Sequence, residues 1–189
     1  PWRAGKFLPM DGGVRVPFFV NWPGQIKPGS SDEVVALYDF PATACELAGI
    51  DPPFTDGKSL VPLIMGKSDD NASLHQYLYW ENGSRGHHSQ ATRFRNWYAF
   101  REHPDKPLQL WDLSTDISCK DDVAGSNMKI VKEALQIFNN SHEPSEWYVN
   151  PGEAVEFIER KKLKAQSAGT IQRGVTANSL YPEDLIENP

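Results

Sequence analysis

The sequence predicts an α/β fold that ends in a small four-stranded antiparallel sheet covered by a helix, and three observations carry that prediction. A β-branched and aromatic run from Val14 to Trp22 precedes a stretch of helical period from Ser31 to Ile50, the order of elements expected of an α/β fold. Four short apolar and aromatic runs follow, Tyr77 to Trp80, Gln90 to Phe94, Trp97 to Arg101 and Leu108 to Leu113, which is how an antiparallel meander reads. After them Ile130, Val131, Ala134, Leu135, Ile137 and Phe138 gather on one face of a helix spanning Val123 to His142, an amphipathic element suited to pack across that sheet. The chain accordingly divides into residues 1–70, the end of an α/β domain; 71–150, the antiparallel subdomain with its helix; and 151–189, a tail of unassigned role in which Glu153 to Gln166 has the charge order of one more helix.

Taken in order, the chain opens on Trp2-Arg3-Ala4-Gly5-Lys6-Phe7-Leu8-Pro9-Met10-Asp11-Gly12-Gly13-Val14-Arg15-Val16-Pro17. Pro9 fixes its own φ and the glycine pair admits positive φ, so Gly5 to Gly13 reads as a tight irregular turn that holds Lys6 as a positioned cation. Val14 to Trp22 reads as a mostly buried strand closed by Pro23-Gly24. In the next helix Pro41 occupies the first turn, Asp39 stands near the N-cap and Gly49 is the C-cap, with Val34, Leu37, Phe40, Ala44, Leu47 and Ala48 recurring at helical steps. Arg95-Asn96 forms a two-residue hairpin turn between the second and third strands, and Glu102 to Lys106, with Pro104, makes the wider connection after the third.

Composition narrows the function. The 189 residues are 39% apolar and 11% aromatic, which is globular rather than disordered. A formal charge of −6 excludes a surface built to coat nucleic acid, which draws on a clustered basic face. No run approaches the roughly 20 apolar residues of a membrane span. Cys45 and Cys119 have neither metal-ligand spacing nor the number for a disulfide framework.

The order Gly5-Lys6, a spacer, Gly12-Gly13-Val14-Arg15-Val16-Pro17 and then Trp22-Pro23-Gly24 resembles the C-terminal half of the type I sulfatases. Further matches to that family follow in the same order: Asp39-Phe40-Pro41-Ala42-Thr43 with Glu46 to Ile50, Asp56-Gly57-Lys58-Ser59-Leu60-Val61-Pro62-Leu63-Ile64-Met65-Gly66, Ala91 to Trp97, and Leu108 to Asp116. Four positions depart from the family pattern: Asp11 stands for the usual Glu, Phe7-Leu8 for Gly-Thr, and Tyr98 for Lys. The resemblance covers Trp2 to about Trp147 and implies the C-terminal part of an alkaline-phosphatase-like sulfatase fold, with the natural N-terminus upstream of Pro1.

What the resemblance implies chemically is sulfate ester hydrolysis of a sulfated small molecule or carbohydrate. The family's nucleophile is a formylglycine made from Cys or Ser in a Cys/Ser-x-Pro/Ala-x-Arg motif, and its Ca²⁺ is held by Asp and Asn side chains. Neither cysteine here lies in such a motif, so formylglycine and the Ca²⁺ ligands are expected outside this chain, with no metal ligand in it and no activity of this portion alone. Lys6 is the expected catalytic and substrate-binding residue, because its family counterpart contacts a sulfate oxygen and a compact ammonium suits a single oxygen. A lone loop lysine is ordinarily a solvated charge; its place inside the motif argues otherwise. Arg15 reads as structural. In the loop Glu81 to Ser89, Arg85, His87 and His88 are further candidates for substrate contact, although neighbouring histidines in extended chain point apart and rarely share a metal. Asn71-Ala72-Ser73, Asn82-Gly83-Ser84 and Asn139-Asn140-Ser141 match the glycosylation triplet. A periplasmic or secreted location is expected from the family. Two alternatives stand beside this reading: a phosphate or phosphonate ester hydrolase of the same superfamily, and a non-catalytic carbohydrate- or anion-binding module.

Overall fold

A computed structural model describes residues 2–52, 55–67, 73–83 and 88–143; the tail 151–189, Arg85 and His87 lie outside them. The described residues fall into two compact units, one formed by residues 2–14, 79–83, 88–92 and 96–143 and the other by residues 15–52, 55–67 and 73–78 with 93–95.

The first unit is built on the antiparallel sheet. Strands β1 (Leu78–Asn82), β2 (Ser89–Phe94), β3 (Trp97–Arg101) and β4 (Gln109–Asp112) lie side by side in sequence order. β3 and β4 pair with Tyr98 opposite Trp111 and Ala99 opposite Leu110. The turn between β2 and β3 places Arg95 at φ 52°, the left-handed conformation that a two-residue hairpin connection needs.

Both faces of this sheet are covered, which is why β2 and β3 are almost wholly buried. Side chains alternate across a strand. On one face Trp80, Ala91, Tyr98, Phe100 and Trp111 pack with Leu8 and Met10 of the N-terminal loop, and the Trp80 and Tyr98 rings stack with centroids 6.4 Å apart. On the other face lies α4 (Met128–Ser141), entered through a 3₁₀ turn at Ala124–Ser126. Its Val131, Ala134 and Phe138 are buried, with the Phe138 ring 6.0 Å from Tyr79 and 5.2 Å from the Arg101 guanidinium. Ile130, Leu135 and Ile137 flank that stripe half-buried. The outer side of β4 is closed by Asp122 and Val123: the Asp122 carboxylate accepts the Leu110 N–H at 3.1 Å, and Val123 N–H donates to the Leu110 carbonyl at 2.9 Å. An edge satisfied in this way offers little to a foreign strand.

The second unit is organised by one buried carboxylate. Helix α2 (Asp39–Ala48) begins at Asp39, whose Oδ2 accepts Ala36 N–H at 2.8 Å and whose Oδ1 accepts Lys58 N–H at 2.9 Å and His75 Nε2–H at 2.8 Å. Burying a carboxylate is tolerable only with such donors. Thr43 extends the staple, donating to the Asp39 carbonyl at 2.8 Å and accepting Leu60 N–H at 2.9 Å. Gly57 belongs to the same contact, since a Cβ there would stand 1.9 Å from the Tyr38 carbonyl oxygen. The segment from Asp56 into the short helix α3 (Val61–Ile64) is thereby fastened to α2. Burial, and after it the Asp39 charge, push the Tyr38 hydroxyl well above its usual pKa. At the other end Gly49 adopts φ 70°, with Gly49 N–H on Glu46 and Ile50 N–H on Cys45, the paired bonds of a Schellman cap.

Two expectations are corrected here. Val14 to Trp22 is not a strand among the described residues: Val14 ends a short helix, and Val16, Phe18, Phe19, Val20 and Trp22 are all exposed. An apolar run of this kind becomes a strand only beside a hydrogen-bonding neighbour, and none of the four strands pairs with it. The apolar residues at helical spacing face solvent, with Phe40 and Leu47 of α2 and Leu37 just before it exposed, while Asp39, Ala42 and Thr43 form the buried side of the helix. Periodicity identified the helix, but its inward face was chosen by the Asp39 and Thr43 hydrogen bonds.

Phe138 joins α4 to the sheet and is fully buried. Phe138→Ala is expected to lower stability by about 3–5 kcal/mol, whereas Met128→Ala, at an exposed position of the same helix, is expected to change it by less than about 1 kcal/mol. Urea unfolding of both variants checks the difference.

Candidate functional site: the Lys6 loop

The loop around Lys6 is a ring of backbone closed on itself. Gly12 N–H donates to the Arg3 carbonyl at 2.9 Å, Leu8 N–H to Gly5 at 3.3 Å, and Gly13 N–H to Met10 at 2.6 Å. Residues Asp11–Val14 form a single helical turn, α1, so the predicted irregular segment contains one regular piece. The glycine pair serves a different purpose from the one expected. Positive φ falls instead at Ala4, 61°, and Phe7, 82°. Gly12 and Gly13 are needed for space: a Cβ at Gly12 would lie 2.3 Å from the Ala4 carbonyl oxygen, and one at Gly13 would lie 2.1 Å from that of Leu8.

Left-handed φ at a non-glycine residue costs about 1–3 kcal/mol and persists only where surrounding contacts over-determine it. Those contacts come from the sheet unit. Arg3 donates from Nη1 to the Cys119 carbonyl at 2.6 Å and lies 4.9 Å from the Trp111 ring centroid. Tyr98 donates its hydroxyl hydrogen to the Pro9 carbonyl at 2.9 Å, in a buried bond. Met10 is sunk in the core beside Ala91 and Trp111. The Asn82 side-chain amide donates to the Phe7 carbonyl. Lys6 is left exposed at the tip, its ammonium 5.2 Å from the centroid of the Phe7 ring.

Of the other sequence candidates, Arg85 and His87 lie outside the described residues. His88 is half-buried, with its ring edge-on to His103 at 5.4 Å, and His103 is itself paired with Asp105. Arg15 is exposed just beyond α1. Sequence reasoning did not pick out Arg3, Asn82 or Tyr98 as supports of the loop. Tyr98 carried a signal, being a departure from the family pattern at an inward strand position; Asn82 carried none beyond its glycosylation triplet. Among the described residues no three His, Cys, Asp or Glu side chains converge on a possible metal position, and Cys119 is buried in the core.

The geometry places an exposed lysine on a clasped loop beside a small two-faced sheet, and solved structures share the surrounding fold. The crystal structure of Ps i-CgsB matches 90% of this chain and 39% of its own, with a TM-score of 0.66 at 24% identity. A 6S-sulfatase of the glycosaminoglycan locus of Bacteroides thetaiotaomicron matches 74% of this chain and 32% of its own, with a TM-score of 0.61 at 24% identity. In sequence, the arylsulfatase of Hemicentrotus pulcherrimus is 39% identical over 81 residues, which are 41% of this chain and 14% of that protein. These likenesses show a fold that a solved sulfatase carries over about a third of its own length. More particularly, the chain belongs to the family described as N-sulphoglucosamine sulphohydrolase, C-terminal, which matches residues 5–140. It spans about one seventh of the length of the arylsulfatase it matches.

A glycine replaced by alanine inside a helical turn ordinarily stabilises by about 1 kcal/mol. Gly13→Ala is expected to do the opposite and destabilise by about 1–3 kcal/mol, because the new methyl meets backbone oxygens that cannot move aside cheaply. Gly5→Ala has open space around its Cβ and is expected to cost less. Parallel chemical denaturation of the two variants checks the order.

Proposed function

We propose that this chain is the C-terminal part of a sulfatase and that Lys6 supplies the cation that holds a sulfate oxygen during hydrolysis of a sulfate ester. The observation that carries the reading is an exposed lysine on a loop clasped at Arg3, Phe7 and Pro9, inside a segment matched by the sulfatase family. Such a lysine is positioned before the substrate arrives. Charge that grows on the sulfate oxygens in the transition state then meets an ammonium that needs no reorganisation, which is the condition under which an electrostatic contact accelerates a reaction.

Formylglycine as nucleophile and Ca²⁺ as the metal are part of the same proposal, with their residues contributed by a portion of the enzyme other than this one. The exposed apolar run from Val16 to Trp22 and the outer face of α2 at Phe40 and Leu47 support it, because surfaces of this kind are expected where a domain continues. The substrate in this reading is a sulfated small molecule or carbohydrate.

In the full-length enzyme Lys6→Ala is expected to reduce kcat/KM for an aryl sulfate by about 100- to 1,000-fold with little change in unfolding temperature, since the side chain packs against little. Lys6→Arg is expected to restore only a small part, because a planar guanidinium places its charge differently. Lys58→Ala, with an exposed side chain, serves as the neutral control. Steady-state kinetics beside thermal unfolding check all three. Near-normal activity in Lys6→Ala, or activity lost only through unfolding, would remove Lys6 from the site. Turnover of an aryl sulfate by this chain alone with added Ca²⁺ would refute the division of labour.

A further inference from the structure

We propose that Asn82 is a positioning residue for Lys6: its side-chain amide, donating to the Phe7 carbonyl, holds the loop in the strained conformation that aims the ammonium. The proposal rests on the sulfatase reading above and adds a residue to it.

Lys6 lies between two left-handed residues, Ala4 at φ 61° and Phe7 at φ 82°. The Leu8 N–H···Gly5 bond makes Gly5 to Leu8 a four-residue turn with Phe7 in its third position, where a turn with positive φ ordinarily takes glycine or asparagine. A bulky residue there is an outlier. If nothing held it, the peptide after Phe7 would relax toward negative φ and carry Lys6 with it. From outside the turn, Asn82 Nδ2–H grips this peptide at the Phe7 oxygen. The Tyr98 bond to Pro9 lies two residues further along and the Arg3 anchor lies three residues before Lys6. Neither fixes the turn itself.

Asn82 can act this way because the end of β1 is fastened from its other face. Strand alternation puts Trp80 and Asn82 on the loop side and Tyr79 and Glu81 on the helix side. On the helix side the hydrogen bonds run in one direction. Arg101 Nε–H donates to Gln90 Oε1 at 2.6 Å, which fixes the amide so that Gln90 Nε2–H donates to the Tyr79 hydroxyl at 2.6 Å. Tyr79 then donates to Glu81 Oε2 at 2.7 Å, where His142 Nδ1–H also donates at 2.7 Å from the end of α4. A carboxylate receiving two donors holds its strand in place. Residue 82 is next in that strand, so its amide reaches the loop from a fixed point. The nitrogen that a glycan would occupy in the triplet Asn82-Gly83-Ser84 is the one engaged with Phe7.

The test is a double-mutant cycle in the full-length enzyme, with loop protection as a second readout. Asn82→Ala is expected to lower kcat/KM for an aryl sulfate by about 10- to 100-fold, the scale of a small misplacement of a catalytic group, and to weaken inhibition by inorganic sulfate. Asn82→Asp is expected to lose at least as much, because it faces the Phe7 oxygen with a carboxylate of the same shape. In a Lys6→Ala background the same Asn82→Ala change is expected to cost less than about twofold, since its effect passes through Lys6. Hydrogen exchange of residues 5–10 is expected to quicken in Asn82→Ala while the β3 and β4 amides stay protected. An equal loss with and without Lys6, or unchanged exchange in the loop, would overturn the role of Asn82 while leaving the sulfatase reading intact. A wild-type enzyme that cleaves no sulfate ester would instead overturn the reading on which the role rests.

Discussion

The close approach of Gly12 and Gly13 to the carbonyl oxygens of Ala4 and Leu8 is the constraint on which the site depends. No side chain fits there, so the helical turn α1 nests inside the loop and closes it between Arg3 and Gly12. Closing so short a ring drives Ala4 and Phe7 into left-handed backbone, and that strain has to be offset by bonds from outside. Lys6 gains a defined position because the rest of its loop has so few alternatives.

Those outside bonds explain why the sheet is two-faced. One side of each strand grips the loop, through Tyr98 on Pro9, Asn82 on Phe7 and Trp111 under Arg3. The opposite side is sealed by α4, with Phe138 against Tyr79 and Arg101. A sheet solvated on its outer face would hold the loop less rigidly, because its strand ends could open locally. Burial on both sides turns a small meander into a platform, and the polar chain from Arg101 to Glu81 crosses its helix side with each hydrogen bond made.

Much of this was legible in the sequence where the signal is local. The hairpin at Arg95-Asn96, the Gly49 cap and the buried stripe of α4 follow from turn chemistry and a 3.6-residue period, and the order of motifs around Lys6 carried the family. What was not legible depends on partners distant in the chain. Val16 to Trp22 has a strand's composition, but none of the four strands among the described residues pairs with it. The apolar side of α2 is exposed because Asp39 and Thr43 bind backbone on the other side. The glycine pair was assigned to positive φ, whereas close packing is its reason, since only the folded loop reveals which carbonyls stand opposite. Asn82 meets Phe7 across 75 positions of sequence, a pairing that no local pattern encodes.

The most direct test of the central claim, that the clasped loop presents Lys6 to a sulfate group, is a structure of the full-length protein with inorganic sulfate or an unreactive sulfate ester bound. The account expects Lys6 Nζ within about 2.7–3.2 Å of a sulfate oxygen, with Phe7 still left-handed and its carbonyl on Asn82. A bound sulfate held entirely by other residues, with Lys6 turned away into solvent, would contradict it.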